Sequence, residues 1–333
     1  MSVSCAIRNR PGVSEETRAR ILACAQKLNY QPDSRVNSWL ATVRGAKKKE
    51  LLPIAWLNID GSRDIWQTQR YLAPYYDGAS RRCEELGYRL ELFSLENELT
   101  NKRLGQILYH RNIQGVIVAP PHRQHIIHLR LNWQHFAAIS FEKALVVPQL
   151  FQVAQDSYYN LMLALKMLRR FGYRRIGLLL DQQSDRRSYH ACQAAYQYFQ
   201  ANIAPEERVP IFISKVAGLP DELRAWMKKN RIDAVAGRND HLVEGVRSFG
   251  YRVPEDVGVV HLSLDGDCED WAGIWSRKEE IGATTVDLLV GLMQNHQFGL
   301  PRLARETLIR GYWHPGKTLI PRKNPRRPRR KFM

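Results

Sequence analysis

The chain has 333 residues, 44% hydrophobic and 25% charged, enough for two or three compact units with real cores. No run approaches the ~18 unbroken apolar residues of a membrane span, and MSVSCAIRNRPG at the N-terminus lacks a signal-peptide core. A cytoplasmic protein without a membrane partner is therefore expected, and 50 Lys+Arg against 33 Asp+Glu, net +17, favours a polyanionic one.

Residues 1 to about 30 read as short helices. SEETRARILACAQKLNY opens with Ser14 as an N-cap and sets Ile21, Leu22, Ala25 and Leu28 on one apolar stripe. Pro32 ends that helix. Residues 33–49 form a polar, basic linker with one amphipathic patch, VNSWLATV.

From Leu51 onward, short apolar runs alternate with amphipathic stretches: LLPIAWLNI, YRLELFSL, GVIVAP, FAAISF, RIGLLLD, VPIFIS, DAVAG and VGVVHLS. Continuous apolar runs mark strands covered on both faces, with helices as crossovers. The fold class is α/β with doubly wound parallel sheets. So many strands exceed one sheet, so two lobes with a ligand cleft at the carboxyl ends of the strands are expected. The tail from Lys317, with PRKNPRRPRRK, reads as basic and disordered over 317–333.

Chemical motifs are scarce. Neither GxGxxG, GxxxxGK[ST], GxSxG nor HExxH occurs, so nucleotide, kinase-like, hydrolase and zinc-protease readings lose their warrant. Cys5, Cys24, Cys83, Cys192 and Cys268 are scattered as free thiols. Asp265, Asp267, Glu269 and Asp270 in DGDCED lack calcium-loop spacing. His122, His125 and His128 fall three apart on an expected helix face, a pattern read as surface rather than metal site. No catalytic residue, metal or cofactor is expected, and the protein is not read as an enzyme.

VSCAIRNRPGVSEETRARILACAQKLNYQPD resembles the headpiece of the lactose/galactose-repressor (LacI/GalR) family in register: Val3–Ser4, Val13–Ser14, Thr17–Arg18, Ile21, Leu28–Asn29–Tyr30 and Pro32. The similarity continues through GYRRIGLLLD, Asn239–Asp240, GYRVPEDVGVV and EEIGATTVDLLVGLM. It implies a periplasmic-binding-protein-like core preceded by a partial helix-turn-helix headpiece. The implied domains are a headpiece at 1–31, a hinge helix and linker at 32–50, and a core at 51–316. Within the core, the N-lobe is about 51–154 plus 278–296, and the C-lobe about 155–265 plus a last strand near 303–312. The family's first headpiece helix has no counterpart before Met1. Met1 therefore reads as an internal methionine, with a shortened protein as the other option.

The resemblance implies a sequence-specific transcription repressor, nucleoid-associated when bound to its double-stranded operator. It implies a homodimer whose DNA affinity is set by a small-molecule effector, a sugar or other metabolite. The alternative is a truncated, DNA-binding-defective ligand-binding protein of the same fold. On the DNA side, Ser2, Val3, Ser4 and Cys5 belong to the recognition helix. Cys5 stands where many relatives carry a guanine-reading arginine. Arg8 and Asn9 end that helix near the backbone, Ser14 and Thr17 suit phosphates at a helix N-terminus, and Asn29 and Tyr30 mark the boundary. Trp39 or Leu40 is the minor-groove lever, the choice being open, and an amphipathic linker patch is the other reading.

On the effector side, Arg187 matches a pocket arginine whose fork suits a hydroxyl or a carboxylate, although Arg186 could be the one turned inward. Asn239 and Asp240 match pocket-lining positions, and Asp156 is either a pocket acid or a helix cap. Ser263 replaces a family aspartate, with Asp265 two residues on, which weakens the case for an ordinary sugar. Tyr75, Tyr76 and Trp275 either stack on a ring-shaped ligand or belong to the core.

Overall fold

The computed structural model describes residues 3, 6, 13–27, 51–59, 67, 71–95, 101–120, 126–142, 145–214, 221–266 and 270–322. The chain divides into two compact units, 1–50 and 51–333. In the first, helix α1 spans Glu15–Lys27. Ser14 opens it: its Oγ accepts the Thr17 N–H at 3.4 Å and its hydroxyl donates to Thr17 Oγ1 at 2.8 Å. Glu15 and Glu16 in the first turn and Lys27 in the last complement the helix dipole. Of the expected stripe, Ile21 and Ala25 are half-buried and Leu22 is exposed. Within this unit Ala6 is buried.

The second unit begins with β1 Leu52–Asn58, α2 Ala73–Glu85, β2 Tyr88–Ser94, α3 Asn101–His110 and β3 Gly115–Val118. A short β4 Ile126–His128 precedes β5 Ala137–Phe141, β6 Leu145–Val147 and β7 Phe151–Gln155. There follow α4 Ser157–Arg170, β8 Ile176–Asp181, α5 Gln182–Arg187, α6 Ala191–Ala201 and β9 Phe212–Ser214. Then come α7 Asp221–Lys229, β10 Ala234–Gly237, α8 Leu242–Ser248, β11 Gly258–Leu264 and β12 Gly273–Trp275. Helix α9 Lys278–Gln294 and strands β13 Glu306–Ile309 and β14 Tyr312–His314 complete the unit.

Two six-stranded sheets result. The first has the order β13-β7-β5-β3-β1-β2 and is parallel throughout. The second runs β14-β12-β11-β10-β8-β9, with β14 alone antiparallel. The central strands β3, β5 and β10 are sandwiched, as their unbroken apolar runs require. In β1, Ile54 and Trp56 face α2 and α9, while Ala55 and Leu57 face α3. In the second sheet, α4 and α6 cover one face and α7 and α8 the other. Helix α4 buries Leu161, Ala164, Leu165 and Leu168, a helical-period stripe. Each such leucine contributes about 1.5–3 kcal/mol by leaving water.

The chain crosses between the lobes at Gln155–Ser157, at Trp275–Lys278 and at Ile309–Tyr312. This corrects the expected C-lobe. The strand expected near 303–312 joins the N-lobe sheet instead, with Glu306 opposite Gln152 and Ile309 opposite Gln155. The C-lobe also extends past residue 265 to β12, and its late strand is β14. Gly311 makes the switch between β13 and β14 possible, because a Cβ there would lie 2.6 Å from the Trp275 carbonyl oxygen.

Two further expectations are corrected. His128 lies in strand β4, paired with Val147, and not on a helix; His122 and His125 fall outside the described residues. The start of the basic tail is packed. Thr318 Oγ1 donates to the Val259 carbonyl at 2.7 Å and accepts the Ala272 N–H at 2.9 Å, and Leu319 is buried. Arg322 donates to the carbonyls of Glu255 and Asp256 and lies over the Tyr173 ring at 4.8 Å. Basic composition over 317–333 hid this apolar and capping role of 318–322; residues 323–333 fall outside the described residues. Among the described residues no helix is long and apolar enough to cross a membrane.

Candidate functional site between the lobes

The carboxyl ends of the strands in both sheets meet at the crossings, where parallel α/β folds place their ligands. Helix α5 follows β8 directly. Asp181 caps it by accepting the Ser184 N–H at 2.8 Å, and Arg187 at its end donates to Ser184 Oγ at 3.1 Å. Arg187 is half-buried and Arg186 exposed, so Arg187 is the one turned inward. Arg238 leaves the end of β10 and donates to Ser157 Oγ at 2.9 Å, while its Nε is buried without a partner. From the other lobe, Glu142 follows β5 with a left-handed backbone, φ 46°.

Gln155 and Asp156 form the first crossing. Gln155 is 7% exposed, and its Nε2 donates to Tyr75 Oη at 2.8 Å and reaches Ser263 Oγ at 3.5 Å. Its Oε1 is buried without a hydrogen bond, an exception that calls for an explanation. Asp156 caps α4 by accepting the Tyr159 N–H at 2.9 Å, and Arg310 Nε lies 3.3 Å from its other oxygen. Glu142, Gln155, Asp156, Ser157, Arg187 and Arg238 line a shared cavity of about 150 Å³. A smaller void beside it shares Ser184, Ser188 and Arg238 and reaches Asp185 and Cys192. Asp185 is almost fully buried, and one of its oxygens accepts from Gln193 Nε2 at 2.6 Å and meets His190 Nδ1 at 2.6 Å.

The residues singled out in the sequence are thus scattered. Arg187 and Asp156 line the cavity, Asp156 also serving as a cap. Ser263 reaches it through Gln155. Asn239 closes a local turn by accepting the His241 N–H at 2.8 Å. Asp240 Oδ1 lies 3.2 Å from buried His261 Nε2. His261 Nδ1 accepts the Ser263 N–H at 3.3 Å, and buried Nε2 has no aligned hydrogen-bond partner. The facing His261 imidazole, followed by nearby positive charge, holds the Asp240 carboxyl below its ordinary range.

Tyr75 is buried, its ring 5.5 Å from Phe141, and burial, reinforced by Glu142, pushes its phenol upward. Tyr76 packs edge-on against Trp56 at 5.3 Å. Both take the core alternative. Trp275 stacks on Tyr312 and lines a different cavity, about 460 Å³, with Arg81, Glu279 and the Lys278–Asp265 ion pair at 2.5 Å. Glu142, Gln155 and Arg238 went unnoticed in the sequence. Arg238, immediately before Asn239–Asp240 at a strand end, carried the one usable signal.

Val3 is exposed, and Ser14 and Thr17 share the α1 N-terminus. Ser2, Ser4, Cys5, Arg8, Asn9, Asn29, Tyr30, Trp39 and Leu40 fall outside the described residues, as does the hinge segment. Among the described residues no group of three or more His, Cys, Asp or Glu could hold a metal ion.

Two parallel-dominated α/β lobes, crossed three times by the chain, define a periplasmic-binding-protein-like core. A family model described as "Bacterial regulatory proteins, lacI family" matches residues 1–33. The NTD biosynthesis operon regulator NtdR of Bacillus subtilis (strain 168) is 22% identical over 289 residues, 80% of each chain. The transcriptional regulator CelR–cellobiose complex aligns over 95% of both chains, with 18% identity and a TM-score of 0.58. The lac repressor dimer bound to operator and the anti-inducer ONPF covers 96% of this chain and 94% of its own, with 18% identity and TM-score 0.58. A LacI family regulator from Enterococcus faecium with bound ribose covers 81% of this chain and 100% of its own, with 16% identity and TM-score 0.58. The family model matched at the N-terminus and the curated relative are both described as regulators, and the solved structures share the two-lobed fold.

Proposed function

We propose that the protein binds a double-stranded operator as a homodimer and represses transcription under the control of a small effector held between its lobes. One observation carries the reading: the family match on residues 1–33 precedes a two-lobed core whose charged and polar side chains converge on one cavity. The relatives are named as regulators rather than enzymes. On the DNA side, Ser14 and Thr17 at the α1 N-terminus suit phosphate contacts, since free N–H groups and the dipole favour an anion there. Ser2, Val3, Ser4, Cys5, Arg8 and Asn9 are proposed along the recognition helix, Asn29 and Tyr30 at its boundary, and Trp39 or Leu40 in the minor groove.

On the effector side, Arg187 and Asp156 are proposed as direct contacts and Ser263 as support through Gln155. Asn239 and Asp240 sit at the rim, and Tyr75, Tyr76 and Trp275 act as scaffold. An effector bridging the lobes changes operator affinity only by its differential affinity for the two lobe arrangements. The test is fluorescence anisotropy on a duplex from the gene's own promoter against random duplex at physiological salt. A preference of about 10³ or more is expected of operator binding. Equal affinity for both duplexes would refute regulation at that promoter.

A further inference from the structure

Resting on the reading of the interlobe cavity as an effector site, we propose that its ligand is a small zwitterion with an ammonium and an anionic group, not a neutral sugar. The two faces of the cavity carry opposite, unspent charge. On the C-lobe side stand Arg187 and Arg238; on the N-lobe side stands Glu142. Among the described residues none of the three makes an ion pair. Arg187 bonds only to the Ser184 hydroxyl and Arg238 only to the Ser157 hydroxyl.

The remaining acids of the lining are engaged elsewhere. Asp156 caps α4 and faces Arg310, and Glu306 has a polar interaction of its own. The buried Gln155 Oε1 adds an acceptor without a donor, and Arg238 Nε a donor without an acceptor.

Lobe closure removes water from these groups. A neutral ligand would leave two guanidinium groups and a carboxylate desolvated with hydroxyls as their best partners, a costly arrangement. An anionic group answers the forked arginines, where charge-assisted bonds are strongest. An ammonium group answers Glu142 and donates to Gln155 Oε1. Because the cations sit on one lobe and the carboxylate on the other, such a ligand ties the lobes together through its two ends. The cavity of about 150 Å³ suits a molecule of amino-acid size.

The anion can be a carboxylate or a phosphate, and the experiment separates them. The full chain is titrated by calorimetry, with thermal unfolding in parallel, using L-glutamine, phosphoethanolamine, gluconate, glucosamine, ribose and cellobiose. We expect saturable binding and a raised Tm from a zwitterion only, L-glutamine marking a carboxylate and phosphoethanolamine a phosphate. The isosteric Glu142→Gln and the Arg187→Gln variants should each weaken it about 10- to 100-fold, the scale of one charged hydrogen bond. Binding by ribose or cellobiose without the zwitterions overturns the ligand class while the effector site stands. Zwitterion binding indifferent to both substitutions overturns it too. Silence from all six compounds counts against the class and the site together.

Discussion

Two glycines of α9 should respond to the same substitution with opposite signs. At Gly282, an added Cβ would lie 2.2 Å from the Tyr75 carbonyl oxygen and 2.9 Å from the Ala79 nitrogen, backbone atoms of α2 that no rotamer change can move. Gly78 on α2 is the reciprocal position, its Cβ meeting the Glu279 carbonyl oxygen at 2.1 Å. Relieving Gly282→Ala requires the helices to part by roughly an ångström, which forfeits a quarter to half of the dispersion energy along the seam. That seam holds Tyr75, Ala79, Cys83, Ile281, Val286 and Leu289. The cost belongs at the upper end of overpacking, about 3 kcal/mol or more. At ~2–4 °C per kcal/mol, Tm falls by about 6–12 °C. Gly291 lies in the same helix, and a Cβ there meets nothing within 4 Å. Gly291→Ala should therefore stabilise by about 0.5–1 kcal/mol through reduced backbone entropy loss. Differential scanning calorimetry of the two variants decides the matter. A Gly282→Ala protein that melts with its parent, or a Gly291→Ala protein that melts well below it, would refute the close-approach argument.

Buried Asn160 accepts the Gly311 N–H at 2.9 Å at the third crossing. Asn160→Ala should lower stability by about 1–3 kcal/mol, the cost of an orphaned buried N–H, read as a lower urea midpoint at unchanged slope. The Arg252 guanidinium and backbone hydrogen bonds hold the Asp256 carboxyl down to about 2, from an ordinary 3.8. A carboxyl lowered on folding contributes stability that is present above its unfolded value and lost as pH falls through its folded value. Asp256→Asn should therefore flatten the acid limb of the stability curve between pH 3.8 and about 2; an acid limb as steep as the parent's would show that the ion pair contributes nothing.

The strands most legible in the sequence are those buried on both faces. GVIV and FAAISF became β3 and β5 because every residue is covered, so their apolar runs are unbroken. Strands β12, β13 and β14 span three or four residues, and β13 alternates between exposed and half-buried. Segments that short carry too few side chains to set a period, and pairing with β7 decides where β13 goes. Arg187 was legible because it keeps its place in a recognisable local stretch. Glu142, Gln155 and Arg238 were not, because they lie far apart in the chain and meet only where the lobes cross. The pair Tyr75–Tyr76 misled for a related reason. Adjacent aromatics on an amphipathic helix look available to a ligand, yet Tyr75 needs a partner for its hydroxyl and finds it in Gln155.

That Tyr75–Gln155 contact ties the cavity to the helix seam. The Gln155 amide binds Tyr75 of α2 through its Nε2, which also reaches Ser263 in β11; its Oε1 is buried without a partner, and the residue lines the cavity. Tyr75 in turn supplies the carbonyl against which Gly282 of α9 packs without a side chain. A ligand that donates to Oε1 therefore acts on a residue already wedged between the two lobes and bonded to α2. Since backbone atoms at the α2–α9 contact leave no room for gradual adjustment, small shifts at Gln155 are better transmitted as rigid helix displacement than absorbed locally.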